Sequence, residues 1–256
     1  MRTVALVRAP SAAIVNCELT HLARVPIDVE LVQLQHARYA AVLNELGARS
    51  EWLPSLPELA DGVFVEDTAV VLPEIAVLTR PGAVSRQAEV ASVEQALAAH
   101  RPIHRIRAPA NLDGGDVLRI GRRLLVGVSS RSNAAGVFQL REAVQEYGYE
   151  VSAIQVDGCL HLKSACTALS SDVVLANLDY IARDVLGDVT VIAVDPAEPR
   201  AANTLTLGGV TLVSTSYPRT EARLRALGIR TRSIDVSELE KAESGLTCMS
   251  LVVGAT

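Results

Sequence analysis

Two side chains of this sequence, Cys248 and His161, could together perform nucleophilic catalysis. A free thiol has a pKa of about 8.5, so it needs a cationic or hydrogen-bonding neighbour to attack as a thiolate near neutral pH. Cys248 follows Gly245 and precedes an apolar segment, a position that an inert core cysteine could also occupy. The remaining cysteines fit that structural role: Cys17, Cys159 and Cys166.

His161 is the histidine that lies in a polar segment just before a predicted strand, where a general base could reach a nucleophile. A histidine at such a position could instead cap an element or pack into the core. The other histidines lie where surface or core roles suffice: His21, His36, His100 and His104.

Five carboxylates are candidates for binding a cation: Asp61, Glu66, Asp67, Asp113 and Asp116. Like charges held close together share a proton or face a cation, because uncompensated repulsion is costly. A planar guanidinium suits them, since it donates paired N–H groups in charge-assisted hydrogen bonds of about 1.5–3 kcal/mol each. Calcium or magnesium is the alternative cation, although the spacing does not follow an EF-hand. Ordinary turn formation is the alternative explanation for each acidic segment alone.

Recurring pairs of short apolar runs joined by a turn predict four β-hairpins. The paired runs are residues 68–72 with 75–79, 117–120 with 124–128, 165–169 with 173–175, and 204–207 with 210–213.

A helical pattern and then one more strand follow each hairpin, so the predicted unit is ββαβ and recurs about every 40 residues. The predicted helices span residues 86–100, 133–147, 178–186 and 218–227. The strands after them span residues 103–106, 151–156, 189–194 and 231–235.

The two ends of the chain supply a fifth unit. Strand 4–7, helix 29–46 and strand 50–53 lack a first strand, which strand 249–253 at the other end can provide. We therefore expect one α/β domain over residues 1–256. Its fold is a five-bladed ββαβ propeller with pseudo-fivefold symmetry, whose C-terminal strand closes the ring.

In such a propeller, the segments before the first strand of every blade meet at one end of the axis. These segments contain the candidate cysteine, histidine and carboxylates: residues 63–67, 111–116, 160–164, 201–203 and 245–248. The sequence therefore predicts a single site assembled from distant parts of the chain.

Composition narrows the function classes. The 256 residues are 49% hydrophobic, enough for a full core, and 24 Lys and Arg against 29 Asp and Glu give a net charge of -5. Without a basic run, we expect no nucleic-acid partner. No apolar run suits a signal peptide or a membrane span, so we expect a cytoplasmic protein without membrane contact. Cysteine spacing favours neither disulfides nor a zinc site, and we expect no metal.

Six short motifs along the chain can be compared with those of a known family: residues 64–68 (FVEDT), 79–83 (TRPGA) with Ser85 and Arg86, 112–117 (LDGGDV), 160–164 (LHLKS), 217–219 (YPR) and 246–248 (LTC). They resemble, in the same order and over nearly the whole chain, the motifs of the dimethylarginine dimethylaminohydrolases. This family belongs to the guanidine-modifying superfamily, whose members are five-bladed propellers.

The resemblance implies hydrolysis of asymmetric dimethylarginine or monomethylarginine to citrulline and an amine, through a covalent thiouronium intermediate and without a cofactor. It implies that Cys248 is the nucleophile, His161 the general acid and base, and Asp113 the residue that orients His161. For the substrate, it implies that Asp67 holds the guanidinium, Glu66 supports the site, Asp61 faces the α-ammonium, Arg86 and Arg131 bind the α-carboxylate, and Leu19 belongs to a covering lid.

The departures from the family pattern leave these groups in place. Gln87 stands where a second arginine is common, Ser132 replaces a threonine, and residues 17–27 match weakly, which leaves the lid contacts open.

A deiminase acting on arginine or another guanidine is the alternative activity, although the His-x-Glu/Asp pattern of those enzymes is missing at His161-Leu162-Lys163. A non-catalytic propeller that binds a partner is the second alternative. We expect a monomer or a homodimer.

Overall fold

The computed structural model describes residues 3–156 and 158–254. It has an α/β architecture with five three-stranded sheets, each built from an antiparallel pair and a third strand parallel to the central one. Among the described residues, none of the helices combines the length and the apolar character needed to cross a bilayer.

The first sheet joins the two ends of the described chain and contains β1 (Val4–Val7), β2 (Arg49–Trp52) and β15 (Leu251–Val253). The second contains β3 (Ala69–Val71), β4 (Ala76–Leu78) and β5 (Ile103–Arg105). The third contains β6 (Val117–Ile120), β7 (Arg123–Val128) and β8 (Glu150–Gln155). The fourth contains β9 (Cys166–Ala168), β10 (Val173–Ala176) and β11 (Thr190–Ala193). The fifth contains β12 (Leu205–Leu207), β13 (Val210–Ser214) and β14 (Thr231–Ile234).

The pairing of the terminal strands confirms the predicted fifth unit. β15 runs antiparallel to β1, with Val253 opposite Val4 and Leu251 opposite Leu6. Each of the four predicted hairpins also forms, and the one between β12 and β13 turns at Gly208 and Gly209, whose φ angles are 57° and 73°. Two positive φ values in a two-residue hairpin turn are conformations that glycine adopts without steric cost.

Four α-helices of eight or more residues lie in the connections of the described chain: α1 (Val29–Glu45), α2 (Val90–Leu97), α3 (Ala134–Val144) and α5 (Pro218–Ala226). Two single-turn helices, α4 (Leu162–Ala165) and α6 (Ser237–Glu240), lie close to the candidate site. The Asp28 and Asn133 side chains cap α1 and α3 by accepting backbone N–H groups of the first turn.

The predicted helix over residues 178–186 is wrong: only the 3-10 turn Arg183–Leu186 forms there. Asn177 Oδ1 accepts the backbone N–H of Asp179 at 2.9 Å, and Asn177 Nδ2 donates to the Pro199 carbonyl at 2.8 Å. A side chain that bonds its own local backbone competes with helix initiation, which accounts for the difference.

The core is divided into five apolar clusters, each shared by two neighbouring sheets. The clusters join the first sheet to the second, the second to the third, the third to the fourth, and the fourth to the fifth. The remaining cluster contains Val7 of β1 and Leu212 of β13 and so joins the fifth sheet to the first.

The segments before the first strands contact one another in the same cyclic order. Hydrogen bonds between these segments join Cys248 to Glu66, Asp67 to Gly115, Asp116 to Leu162, and Asn203 to Thr247. Segment 201–203 is joined to the fourth sheet, because the hydroxyl of Thr167 in β9 donates to the Ala202 carbonyl. The fold therefore brings the five predicted segments together.

Candidate active site

Cys248 and His161 line the same small cavity, which has a volume of about 20 Å³. Phe64 and Leu160 contribute apolar surface to it. Its charged walls come from Glu18, Asp61, Asp67, Arg86, Arg131 and Glu243. A space of this volume holds little more than a water molecule.

His161 is held by a buried carboxylate, as the sequence predicts. Its Nε2 lies 3.1 Å from Oδ2 of Asp113, and both residues are buried. Asp113 is fixed in turn because its Oδ1 accepts the N–H of Gly82 at 2.8 Å and its own N–H donates to Ser132 Oγ. A Cβ on Gly115 would lie 2.8 Å from His161 Nδ1, so glycine is required at that position for the ring to fit.

His161 is surrounded by more negative charge than Asp113 alone supplies. Its Nδ1 lies 3.9 Å from Asp67 Oδ1, and Asp116 lies nearby, where it accepts the N–H of Leu162 at 3.0 Å. Burial alone would lower the pKa of His161, but the charges of Asp67 and Asp116 and the hydrogen bond to Asp113 raise this pKa to about 9. The imidazole is therefore protonated near neutral pH and can act first as an acid.

Asp67 is a buried, ionised acceptor at the centre of the site. Its Oδ2 lies 2.5 Å from Arg86 Nη1 and its Oδ1 accepts the N–H of Gly115 at 2.9 Å. Burial raises its pKa, but the positive charges of His161 and Arg86 outweigh burial and lower it to about 2. A carboxylate has about four acceptor positions, so Asp67 can bind a further N–H donor from a ligand.

Arg86 makes extensive contacts with the protein. Its Nε and Nη2 bind the Glu89 carboxylate at 3.1 and 2.8 Å, and Nη2 also donates to the backbone carbonyls of Phe64 and Asp61. Together with the Asp67 contact, these bonds use four of its five N–H groups. The structure thus gives Arg86 a supporting role that the sequence did not indicate, and its contact with a substrate carboxylate stays a prediction.

Two hydrogen bonds with backbone N–H groups fix the position of Cys248. Its Sγ accepts the N–H of Gly245 at 3.3 Å, and its carbonyl accepts the N–H of Glu66 at 3.1 Å. Burial raises the pKa of the thiol to about 12, with Glu66 and Asp67 adding to the effect, so the thiol is protonated near neutral pH. On balance, the protein groups around this thiol favour its neutral form in the free protein.

Glu66 supports the segment that carries Cys248. Its Oε1 accepts Lys163 Nζ at 2.6 Å, and its Oε2 accepts the hydroxyl of Thr247 at 2.6 Å. Asn203 also fixes Thr247, because its Oδ1 accepts the backbone N–H of Thr247 and its Nδ2 donates to the Thr247 hydroxyl. Glu66 itself lines a second cavity, of about 240 Å³, and does not line the small cavity.

The lid loop, which we define as residues 17–27, passes over the small cavity. Both carboxylate oxygens of Asp61 lie within 3.2 Å of the backbone nitrogen of Glu18, and Arg131 Nη2 donates to Thr20 Oγ1 at 3.3 Å. Leu19 is half-buried and packs against the core cluster that includes Cys248. Its contact with a substrate stays a prediction.

Three residues that the structure places in support of the site have no role predicted from the sequence: Glu89, Lys163 and Asn203. The sequence predicts Asp116 only as one of the cation-binding carboxylates. Lys163 lies inside the LHLKS motif, and Asn203 lies in a segment before a first strand. Glu89 follows Arg86 by three residues, a spacing at which side chains of a helical turn meet.

Asp67, Asp113 and His161 could also hold a metal ion, since one donor atom from each lies within 4.8 Å of the others. In the structure these atoms already bind each other, Arg86 or backbone N–H groups. A cation would have to compete with the guanidinium of Arg86 and with the protonated imidazole. The donor set therefore suits an ion-paired network.

Comparisons with known proteins place the chain among its relatives. The sequence profile of the arginine deiminase family matches residues 19–203. The N(G),N(G)-dimethylarginine dimethylaminohydrolase of Streptomyces coelicolor is 39% identical, over 96% of this chain and 95% of that protein. The one from Pseudomonas aeruginosa is 31% identical, over 85% of this chain and 86% of that protein.

A solved structure extends the agreement to the fold. The Pseudomonas aeruginosa enzyme, as a cysteine-to-serine mutant in complex with citrulline, superposes with a TM-score of 0.93 at 29% identity, over 98% of this chain and 99% of that one. Sequence identity and fold agree along almost the whole chain, and the protein belongs to the N(G),N(G)-dimethylarginine dimethylaminohydrolase family.

Proposed function

We propose that this protein hydrolyses Nω-methylated L-arginines to L-citrulline and dimethylamine or methylamine. The observation that carries the proposal is the cavity in which the Cys248 thiol, the protonated His161 and the ionised Asp67 come together. A guanidinium is the ligand that this charge pattern fits, because Asp67 can accept its N–H groups while Cys248 approaches its central carbon.

The first half of the reaction breaks the bond to the methylated nitrogen. The positive charge of the bound guanidinium lowers the pKa of Cys248, whose proton leaves to solvent. The thiolate then forms a C–S bond with the guanidinium carbon. His161 gives the proton on its free ring nitrogen to the methylated nitrogen, the C–N bond breaks, and the amine departs, leaving a cationic thiouronium on Cys248.

The second half regenerates the thiolate with one water molecule. His161, now neutral, takes a proton from the water while the water oxygen bonds to the thiouronium carbon. The C–S bond breaks with its electron pair returning to Cys248, and the remaining hydroxyl proton passes to solvent. The products are citrulline and the enzyme with His161 protonated again, so no oxidant or cofactor is consumed.

The remaining site residues bind the two ends of the substrate. Asp67 holds the guanidinium, while Asp61 faces the α-ammonium from the cavity wall. Arg131 binds the α-carboxylate, with Arg86 adding its charge and its remaining N–H. Glu66 holds Thr247 and Lys163 behind the nucleophile, and Leu19 covers the substrate from the lid loop.

The same proposal includes a closed five-bladed propeller that forms one domain over residues 1–256, of which residues 1–2, 157 and 255–256 lie outside the described ranges. The cyclic order of the apolar clusters and of the hydrogen bonds between pre-strand segments supports closure. A cytoplasmic location and a monomeric or homodimeric state stay predictions.

A substrate panel tests the activity. The purified protein and its Cys248→Ser variant are incubated with asymmetric dimethylarginine, monomethylarginine, arginine and agmatine, and citrulline, ammonia and methylamines are assayed separately. The proposal predicts equal amounts of citrulline and methylated amine from the wild type alone. Ammonia released from arginine or agmatine in preference would identify a deiminase, and no product from any compound would favour a binding protein.

The reaction as proposed uses no metal. Full activity should remain after dialysis against a chelator. Complete inactivation that one particular metal reverses would contradict the thiol mechanism and point to the Asp67, Asp113 and His161 set as a metal site.

A further inference from the structure

The carboxylate of Glu243 binds three consecutive backbone N–H groups of the lid loop. Its Oε2 accepts from Thr20 at 3.0 Å, and its Oε1 accepts from His21 and Leu22. Such a set of charge-assisted bonds fixes a loop that has no regular secondary structure of its own. Glu243 thus bridges the lid loop and a segment more than 200 residues away in the chain.

The backbone of Glu243 is strained. With a φ of 56°, it is the one non-glycine residue in the left-handed region within residues 3–156 and 158–254. A residue with a Cβ stays in this region only where the surrounding contacts hold it there. Glu243 lies in the turn after α6, five residues before Cys248, and its carboxylate bonds the lid loop from this position.

Glu243 lines two neighbouring cavities. One is the small cavity that contains Cys248 and His161, and the other is a larger one of about 210 Å³ that His21 and Leu22 help to enclose. Leu160, Glu243 and Ser244 line both cavities, so Glu243 lies between the lid-loop residues that it binds and the reacting groups.

The loop that Glu243 holds also carries the protein groups that contact Asp61 and Arg131. Glu18 donates its N–H to Asp61, and Thr20 accepts from Arg131. Under the proposed function, Asp61 and Arg131 bind the amino-acid end of the substrate. Closure of the loop by Glu243 therefore completes the part of the site that distinguishes an amino acid from a simple guanidine.

We propose that Glu243 is a positioning residue that closes the lid loop over the amino-acid end of the substrate and so sets the preference for α-amino acid guanidines. This inference rests on the proposed function. Glu243 touches the loop, and it acts on the reaction through the loop.

The test compares Glu243→Gln and Glu243→Gly with the matched control Glu240→Gln. Glutamine keeps the size but removes the charge, whereas glycine removes the carboxylate and relieves the left-handed strain, so the fold is retained. Glu240 lies on the same short segment and lines the larger cavity, but its carboxylate accepts from Ser216 at 2.7 Å and, within residues 3–156 and 158–254, makes no hydrogen bond to the lid loop.

The first readout is amide hydrogen exchange of Thr20, His21 and Leu22 without ligand, together with trypsin cleavage after Arg24. Both Glu243 variants should exchange these amides at least about tenfold faster and be cut sooner, whereas Glu240→Gln should match the wild type. Unchanged exchange in both Glu243 variants would overturn the inference. This readout needs no turnover, so it is independent of the proposed function.

The second readout is the change in KM and, separately, the change in kcat of each variant. For asymmetric dimethylarginine, both Glu243 variants should raise KM by about tenfold with kcat within about threefold of the wild type. For N-methylated agmatine, an analogue that lacks the α-carboxylate, KM should change little, so the preference for the amino acid shrinks. An equal loss on both compounds, or a loss confined to kcat, would overturn the role in specificity.

Discussion

Arg86 Nη1 lies 2.5 Å from Asp67 Oδ2. The family resemblance assigns Arg86 to the α-carboxylate of the substrate and Asp67 to its guanidinium, but in the structure Arg86 supports Asp67. Arg86 also binds Glu89, and both partners are at least nine-tenths buried. Because most of its N–H groups already bind the protein, Arg86 has few donors left for a ligand. Arg131, whose guanidinium donates to Thr20 on the lid loop, has more donors available for a carboxylate.

Arg131→Ala should therefore weaken recognition of the α-carboxylate more than it weakens the chemistry. A bidentate arginine–carboxylate pair is worth a few kcal/mol, so kcat/KM for asymmetric dimethylarginine should fall by about a hundredfold, mostly through KM. Activity on the analogue lacking the carboxylate should change far less. Equal discrimination by the variant and the wild type would show that Arg131 does not read this group.

Arg86→Ala should behave differently, because it leaves Asp67 and Glu89 buried without their cation. Removing one partner of a buried ion pair costs about 3–5 kcal/mol, so thermal denaturation should show a large loss of stability. Arg86→Lys should recover only part of it, since an ammonium cannot reproduce the forked contacts. A variant as stable as the wild type would contradict the support role.

Alkylation of Cys248 by a neutral reagent should be slow in the free protein and should accelerate with pH. The pKa of this thiol is raised to about 12, so the rate should still be rising at pH 10. A cationic amidine reagent should react faster than the neutral one at pH 7, because its charge favours the thiolate. A rate that is already constant between pH 7 and 8 would mean that the free protein holds a thiolate.

In the Asp116→Asn variant, the fall of the reaction rate at alkaline pH should begin at a lower pH than in the wild type. The charge of Asp116 is one of those that raise the pKa of His161, so its removal makes the imidazolium lose its proton earlier. The isosteric amide oxygen can still accept the N–H of Leu162, which keeps the segment in place. Kinetics from pH 6 to 10 measure the shift, and a fall that begins at an unchanged pH would contradict this assignment.

Stability should fall as the pH rises from about 6.5 to about 9. A histidine whose pKa is raised in the folded state stabilises fully below its unfolded pKa, and this stabilisation is lost as the pH passes its folded value. Denaturant unfolding of the wild type and of His161→Gln over this range tests the effect. The variant should show a much smaller decline, and an equal decline in both proteins would assign the effect to other groups.

Much of the fold can be predicted from the sequence because its signals are local. Turn residues such as Gly208 and Gly209 mark a hairpin, and the alternation of short apolar runs gives the repeat. The helix predicted over residues 178–186 failed for an equally local reason, since Asn177 bonds the backbone there.

The site is only partly predictable because its contacts join distant segments. The motifs identified Cys248, His161 and Asp113 as neighbours, and the structure brings them together. No pattern in the sequence shows that Glu243 reaches the lid loop, because the two are more than 200 residues apart and the carboxylate depends on a strained backbone to reach it.

The most direct test of the central claim is mass spectrometry of the protein quenched in acid during turnover of asymmetric dimethylarginine. The thiol mechanism predicts a mass increase equal to the substrate minus dimethylamine, located on the peptide that contains Cys248 and missing in Cys248→Ser. The same adduct on Cys17, Cys159 or Cys166, or citrulline formation by Cys248→Ser at a rate within tenfold of the wild type, would contradict it.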